Sequence, residues 1–179
     1  MRIFIGIELS CPVKEKLFEL QQQIRPYVAK GHFTSLMNFH LTLQFIGETP
    51  HSDILRSIVS SVAGDSKPFD LSLDHLGQFL KKNKSILWAG PDSDQQLNEL
   101  YEKLHQHFLH HHLEMEKRSY TPHVTFGRNI VLLDSFEQMR QELNWKAVPV
   151  TIDNITLFES TRIHDQLVYR AIAKYQIGL

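Results

Sequence analysis

Two tetrapeptides carry residue types that can do acid–base chemistry, and they carry them in the same order: His40-Leu41-Thr42-Leu43 and His123-Val124-Thr125-Phe126. They lie nearly half a chain apart. In a strand, residues i and i+2 share a face. Each tetrad therefore puts an imidazole and a hydroxyl on one side and two apolar side chains on the other, where they anchor the strand. Two such strands with their polar faces opposed make a cleft holding two imidazoles and two hydroxyls. Imidazole titrates at about 6.5, so one ring can be a neutral base while the other is a protonated acid. Threonine hydroxyls donate to phosphoryl oxygens, and Arg128, five residues past His123, can add charge-assisted bonds to the same oxygens. A base, an acid and fixed donors suffice to open a strained cyclic phosphodiester without a metal. One His-x-Thr-x strand arises readily by chance. Two copies on apolar-anchored strands carry the argument.

The elements that must position these residues follow from periodicity. Residues 2–9 read as a strand. Pro12 opens a helix with Val13, Leu17, Leu20, Ile24 and Val28 at helical spacing, ended by Gly31. Residues 39–46 form a strand, and 51–63 a helix with Ile54, Leu55, Ile58, Val59 and Val62 on one face, closed by Gly64. Residues 69–80 and 85–90 read as strands around a turn at Lys81, Lys82, Asn83 and Lys84. The longest helix is expected over 93–113, with Leu97, Leu100, Tyr101, Leu104 and Phe108 on its apolar face. A strand over 121–130, a helix over 134–143 and strands over 148–158 and 166–175 complete the chain. This order predicts an α+β fold of mostly antiparallel sheets with helices on one side. The recurrence of helix, His-bearing strand, helix and hairpin predicts two related lobes breaking near residue 91.

Composition narrows the partners. With 19 Lys+Arg against 20 Asp+Glu the formal net charge is −1, which argues against long, sequence-independent duplex binding. A short or terminal nucleic-acid substrate is compatible. The single cysteine, Cys11, cannot form an intrachain disulfide, so a reduced, cytoplasmic chain is expected. The first residues are too short an apolar run for a secretory leader, and no run approaches the roughly 20 residues of a membrane span. The chain has 11 histidines. His105, His107, His110, His111 and His112 crowd the end of the long helix. His107 and His111 stand at i,i+4, which could hold Zn²⁺ or Ni²⁺, but no acidic or cysteine partner sits at ligand spacing. They read as a solvated helix end. Lys81, Lys82 and Lys84 could steer an RNA backbone but read as a solvated turn. Phe45 falls by alternation on the face of Leu41 and Leu43, hence in the core. Tyr120 is less constrained, and Trp88 reads as packing.

Beyond the tetrads, longer stretches resemble a known family. They are Arg2-Ile3-Phe4-Ile5-Gly6-Ile7, Asn38-Phe39-His40-Leu41-Thr42-Leu43-Gln44-Phe45-Ile46-Gly47-Glu48, Trp88-Ala89-Gly90, Tyr120-Thr121-Pro122-His123-Val124-Thr125-Phe126-Gly127-Arg128, and Leu157-Phe158-Glu159-Ser160 followed by Tyr169. Together they resemble the RNA 2′,3′-cyclic phosphodiesterase (2′-5′ RNA ligase, LigT-like) family of the two-histidine (2H) phosphoesterase superfamily. The resemblance implies one bilobal α+β domain over residues 1–179, with helices outside and the active site in a central cleft. It implies metal-independent hydrolysis of RNA 2′,3′-cyclic phosphate ends to 2′-phosphates, with no cofactor. Carried over by motif position, His40 is the proton donor, His123 the general base, Thr42 and Thr125 hold the phosphate, and Arg128 assists. The implied partners are RNA ends or short oligonucleotides, with no membrane, and the chain is expected to be a monomer. Two alternatives stay open: a 2′-5′ RNA ligase or 2′-5′ oligonucleotide phosphodiesterase, and a non-catalytic RNA-end or nucleotide-binding module.

Overall fold

Ile3, Ile5 and Ile7 alternate along the first strand, and all three are buried. In the computed structural model, which describes residues 2–113 and 119–179, this strand, β1 (Arg2–Glu8), lies inside a four-stranded antiparallel sheet. Its neighbours are β3 (His40–Glu48) on one side and β9 (Asn154–Ile163) on the other, with β10 (Gln166–Gln176) outermost beyond β9. A second four-stranded sheet runs β2 (Val28–Phe33), β7 (Val124–Leu132), β6 (Lys84–Gly90), β5 (His75–Lys81). A two-stranded sheet pairs β4 (Phe69–Leu73) with β8 (Val148–Ile152). The helices are α1 (Cys11–Ile24), α2 (Ser52–Gly64), α3 (Gln95–His110) and α4 (Phe136–Glu142). The α3 and α4 N-termini are capped by Asp94 and Ser135, whose side chains accept the Leu97 and Gln138 amides. The α+β class and antiparallel pairing are as expected from the sequence.

Several boundaries differ, each for a local reason. The first helix stops at Ile24 and not at Gly31. Pro26 supplies no amide to the preceding turn, so residues 25–27 tighten into a 3-10 turn and Val28 starts a strand. The expected strand 69–80 is two strands in different sheets, broken at Asp74. There the backbone carbonyl accepts the Trp145 indole N–H and the carboxylate accepts the Asp92 amide. The expected strand 148–158 breaks likewise at Asp153, whose carbonyl accepts the Ile177 amide. Ile54 lies on the exposed side of α2, and the buried face is Leu55, Ile58, Val59, Val62 and Ala63.

The two sheets do not divide at residue 91. The first takes β1 and β3 from the first half and β9 and β10 from the end; the second takes β2, β5 and β6 with β7. Each nevertheless carries one of the two tetrads. The sheets are tied together where those tetrads meet. Phe39 and Phe126, both fully buried, pack edge to face at 5.8 Å. The buried Gln21 amide donates to the carbonyls of Thr34 and Phe126, both at 2.8 Å.

Two glycines let the backbone close up beside the histidines. Gly6 pairs with Thr42, and a Cβ there would stand 2.6 Å from the Leu41 carbonyl oxygen. A Cβ at Gly90 would collide with the carbonyl oxygen of Pro122, the residue before His123. In both cases the obstacle is backbone, which cannot swing aside. Gly90→Ala is expected to cost about 1–3 kcal/mol, the scale of overpacking, read as a lower urea midpoint. An unchanged midpoint contradicts this packing.

Candidate active site

His40 opens β3 and is buried, with the residue 7% exposed. Its Nδ1 lies 2.8 Å from the Asn38 carbonyl oxygen and its Nε2 3.0 Å from Thr42 Oγ1. A carbonyl only accepts, so Nδ1 carries the ring proton and Nε2 accepts the Thr42 hydroxyl. Asn38 is fixed in turn. Its side-chain amide donates to the Leu167 carbonyl at 2.8 Å and accepts the Tyr169 amide at 3.0 Å, standing in for a strand partner along β10. The same strand brings the Tyr169 ring edge-on to His40 at 4.9 Å, and Phe4 from β1 packs at 4.6 Å.

His123 stands immediately before β7 and repeats the arrangement. Its Nδ1 donates to the Thr121 carbonyl, also two residues back, at 2.7 Å. Phe79 and Trp88 frame the ring at 5.1 and 6.0 Å. The Trp88 ring is buried, as its packing role requires, but what it packs against includes the imidazole. The symmetry is incomplete in one useful respect. His123 Nε2 has no bond to Thr125, so its lone pair is open, whereas His40 Nε2 is already engaged by Thr42. Thr42 and Thr125 are both buried.

A cleft of about 300 Å³ is lined by Thr42, His123 and Arg128, with Phe45, Phe79, Tyr101 and Tyr120 around them. His40 opens onto an adjoining cavity with Asn38 and Tyr169. A larger cavity of about 930 Å³ lies against α2 and α3, is not lined by His40 or His123, and holds no comparable set of groups. Burial pushes His40 down to about 4. The bond to the Asn38 carbonyl opposes this, and the charges of His123, Arg128 and Lys14 push the same way as burial. Burial also lowers His123, opposed by its Thr121 bond and helped by Arg128. A charge on His123 adds to the repulsion that keeps His40 from protonating. In the free protein at pH 7 His40 is thus neutral and His123 leans the same way. An anion seated against Arg128 removes its repulsion and raises both.

The structure thus brings together Thr42, His123 and Arg128 in one cleft, with His40 against Thr42. Sequence reasoning had no role for Asn38 or the Thr121 carbonyl, although each sits two residues before a flagged histidine. Phe45 is a correction. Gly6 pairs with Thr42 and Ile5 with Gln44, so Leu43 is an extra residue in β3. This bulge flips the parity of the strand, and Phe45 emerges on the cleft side, 40% exposed and 5.8 Å from Phe4. Tyr120 stacks face to face on Tyr101 at 4.1 Å; its hydroxyl is buried with no hydrogen-bond partner among the described residues, and burial holds its pKa well above the ordinary range. Lys81, Lys82 and Lys84 are exposed at the β5–β6 turn, and His110, His111 and His112 are exposed at the end of α3. Among the described residues no group of three or more His, Cys, Asp or Glu side chains is placed to hold a metal ion.

Two antiparallel sheets, each carrying a His-x-Thr tetrad, with Thr42, His123 and Arg128 lining one cleft and His40 beside it, define a two-histidine phosphoesterase architecture. A profile of the 2′-5′ RNA ligase superfamily matches residues 14–163, and the chain belongs to that superfamily. The chain is 27% identical to the RNA 2′,3′-cyclic phosphodiesterase of Thermotoga maritima, over 98% of this chain and 95% of that protein. It is 23% identical to the RNA 2′,3′-cyclic phosphodiesterase of Methanocaldococcus jannaschii, over 98% of this chain and 100% of that protein. The fold matches the crystal structure of E. coli LigT complexed with 3′-AMP at a TM-score of 0.81 and 21% identity, over 99% of this chain and 98% of that one. No helix among the described residues is long and apolar enough to cross a membrane.

The neutral, buried His40 makes folding sensitive to acid. Between about pH 6.5 and 4 the unfolded chain takes up a proton at this residue and the folded chain does not, so stability falls as the pH falls, by up to about 3 kcal/mol over that window. His40→Gln removes the titrating ring and is expected to show a shallower loss, measured as urea midpoints across the window. Parallel curves for the two proteins contradict the assignment.

Proposed function

We propose that the protein hydrolyses the 2′,3′-cyclic phosphate at the end of an RNA strand and leaves a 2′-phosphate. The observation that carries this reading is the matched pair of imidazoles, each held by a carbonyl on Nδ1 so that Nε2 is the working nitrogen, beside one arginine. The names of the full-length relatives in Thermotoga maritima and Methanocaldococcus jannaschii agree with it. A water oxygen attacks phosphorus while His123 Nε2, whose lone pair is open, takes its proton. The bond from phosphorus to the 3′ oxygen breaks, and His40 Nε2–H protonates that oxygen. His40 takes up this proton against its burial, helped when the substrate anion offsets the Arg128 charge. When it does, its bond to Thr42 reverses: Nε2 becomes the donor and the Thr42 hydroxyl proton is freed for a phosphoryl oxygen. Thr125 and Arg128 supply the remaining donors. Turnover ends with His123 charged and His40 neutral, and solvent restores both.

These groups supply every role in the step, so turnover is expected to survive excess EDTA; its loss there contradicts the mechanism. We further take residues 1–179 to act as one bilobal unit, a monomer in the cytoplasm. The catalytic set is complete within one chain, and the only cysteine is a free, exposed thiol. The test is product analysis on an RNA end bearing the cyclic phosphate, resolving 2′- from 3′-phosphate, beside a 2′-5′-linked oligomer at equal concentration. A 2′-phosphate is expected, with the cyclic end preferred. A 3′-phosphate, or preference for the 2′-5′ linkage, overturns the reading.

His40→Ala and His123→Ala are each expected to lose at least ~10²-fold in kcat/KM, the scale of acid–base catalysis. Near-normal activity in either contradicts the roles given. The pH–rate profile is expected to be bell-shaped, with both limbs of kcat at higher pH than those of kcat/KM, because bound phosphate raises both histidines. A flat profile from about pH 5 to 8 contradicts two titrating imidazoles.

A further inference from the structure

A second cavity opens from the same arginine and has no part in the step above. It encloses about 560 Å³ and is lined by Arg2, Arg128 and Arg162, together with Phe45, Ser160 and Tyr169. Arg128 and Phe45 also line the cleft beside His123, so the two spaces meet along that edge. Arg2 and Arg162 reach the cavity from β1 and β9, which are neighbours in the sheet.

Three of the chain's eight arginines line this one cavity. Arg140 and Arg170 are paired with Glu137 and Glu159. Among the described residues none of the three arginines lining the cavity is paired with a carboxylate; Arg162 donates only to the backbone carbonyl of Asp165, at 3.1 Å. A protein of net charge −1 thus gathers three uncompensated guanidiniums around one space. Guanidinium forks match phosphate oxygens in geometry and charge. A single scissile phosphate at Arg128 leaves Arg2 and Arg162 with nothing to bind. The next phosphate along an RNA strand is an anion at a fixed offset from the first. The exposed Phe45 ring on the shared edge offers a base-stacking surface of the sequence-tolerant kind.

We propose that this cavity is an upstream phosphate subsite. Arg2 and Arg162 hold the phosphate on the 5′ side of the terminal nucleotide while Arg128 holds the cyclic one, so the enzyme reads RNA ends and discriminates against mononucleotides. The inference rests on the cyclic phosphodiesterase reading.

The test compares kcat/KM for three substrates: a nucleoside 2′,3′-cyclic phosphate, the same nucleoside carrying a 5′-phosphate as well, and a dinucleotide ending in the cyclic phosphate. The 5′-phosphate alone is expected to raise kcat/KM about tenfold or more, the dinucleotide at least as much. In the double variant Arg2→Gln/Arg162→Gln both ratios are expected to fall toward one, and Arg2→Lys/Arg162→Lys to recover part of them. Ratios near one in the wild type overturn the proposal, as does an equal loss on all three substrates in the glutamine variant. A gain for the dinucleotide without one for the 5′-phosphate overturns the arginine assignment in favour of stacking. Calorimetric binding of the three corresponding 2′-phosphate products gives the same ratios without turnover. Absent turnover on every substrate, with the binding ratios intact, defeats the hydrolase reading and leaves the subsite standing.

Discussion

Each of the two motif imidazoles depends on one bond: Nδ1–H to the carbonyl oxygen two residues earlier, Asn38 for His40 and Thr121 for His123. Because a carbonyl has no proton to give, this bond settles which ring nitrogen is protonated and which way the ring faces. The other nitrogen is then left to the chemistry. Much of the surrounding structure holds those two carbonyls still. The Asn38 side chain is clamped on both sides to the backbone of β10, and the carbonyl of Pro122, next to His123, nests against Gly90 where no Cβ intrudes.

Burial is what makes the pair responsive. A buried imidazole resists charging, and the Arg128 charge adds to that resistance. The resting site is therefore a pair of largely neutral bases facing a cation. In the proposed mechanism a bound phosphate offsets the Arg128 charge, and the ring already bonded to a threonine hydroxyl takes up a proton. The asymmetry between the two halves, with Thr42 on His40 and an open lone pair on His123, is what the proposed division into acid and base rests on, since the motifs themselves are interchangeable.

The histidines and threonines of the candidate site were legible because strand geometry makes i and i+2 share a face. His40 with Thr42, and His123 with Thr125, follow from spacing alone; Arg128, at an odd offset from His123, reaches the cleft through the irregular register of β7. Phe45 was not legible for the same reason. One extra residue at Leu43 shifts the parity, and a bulge leaves no mark that an alternating pattern can show. The partition of the chain was hidden too. Sheet partners are chosen by non-local pairing, so β9 and β10 return to β1 across the whole sequence, and a repeat in element order does not reveal it. The stops at Pro26, Asp74 and Asp153 depend on backbone groups finding distant partners or none, which apolar periodicity does not encode. The near-neutral composition concealed the three unpaired arginines in the same way: the balance of charges says nothing about where the uncompensated ones gather.

The account stands or falls on the state of the two rings. Nitrogen-15 NMR of the imidazoles of His40 and His123 at neutral pH, before and after adding a nucleoside 2′-phosphate, reports it directly. The account requires that His40 be the neutral Nδ1–H tautomer in the free protein, that His123 in its neutral form be the same tautomer, and that both pKa values rise when the phosphate binds. A free His40 that carries its proton on Nε2, or that is doubly protonated at pH 7, would contradict it, as would two pKa values that do not move on binding.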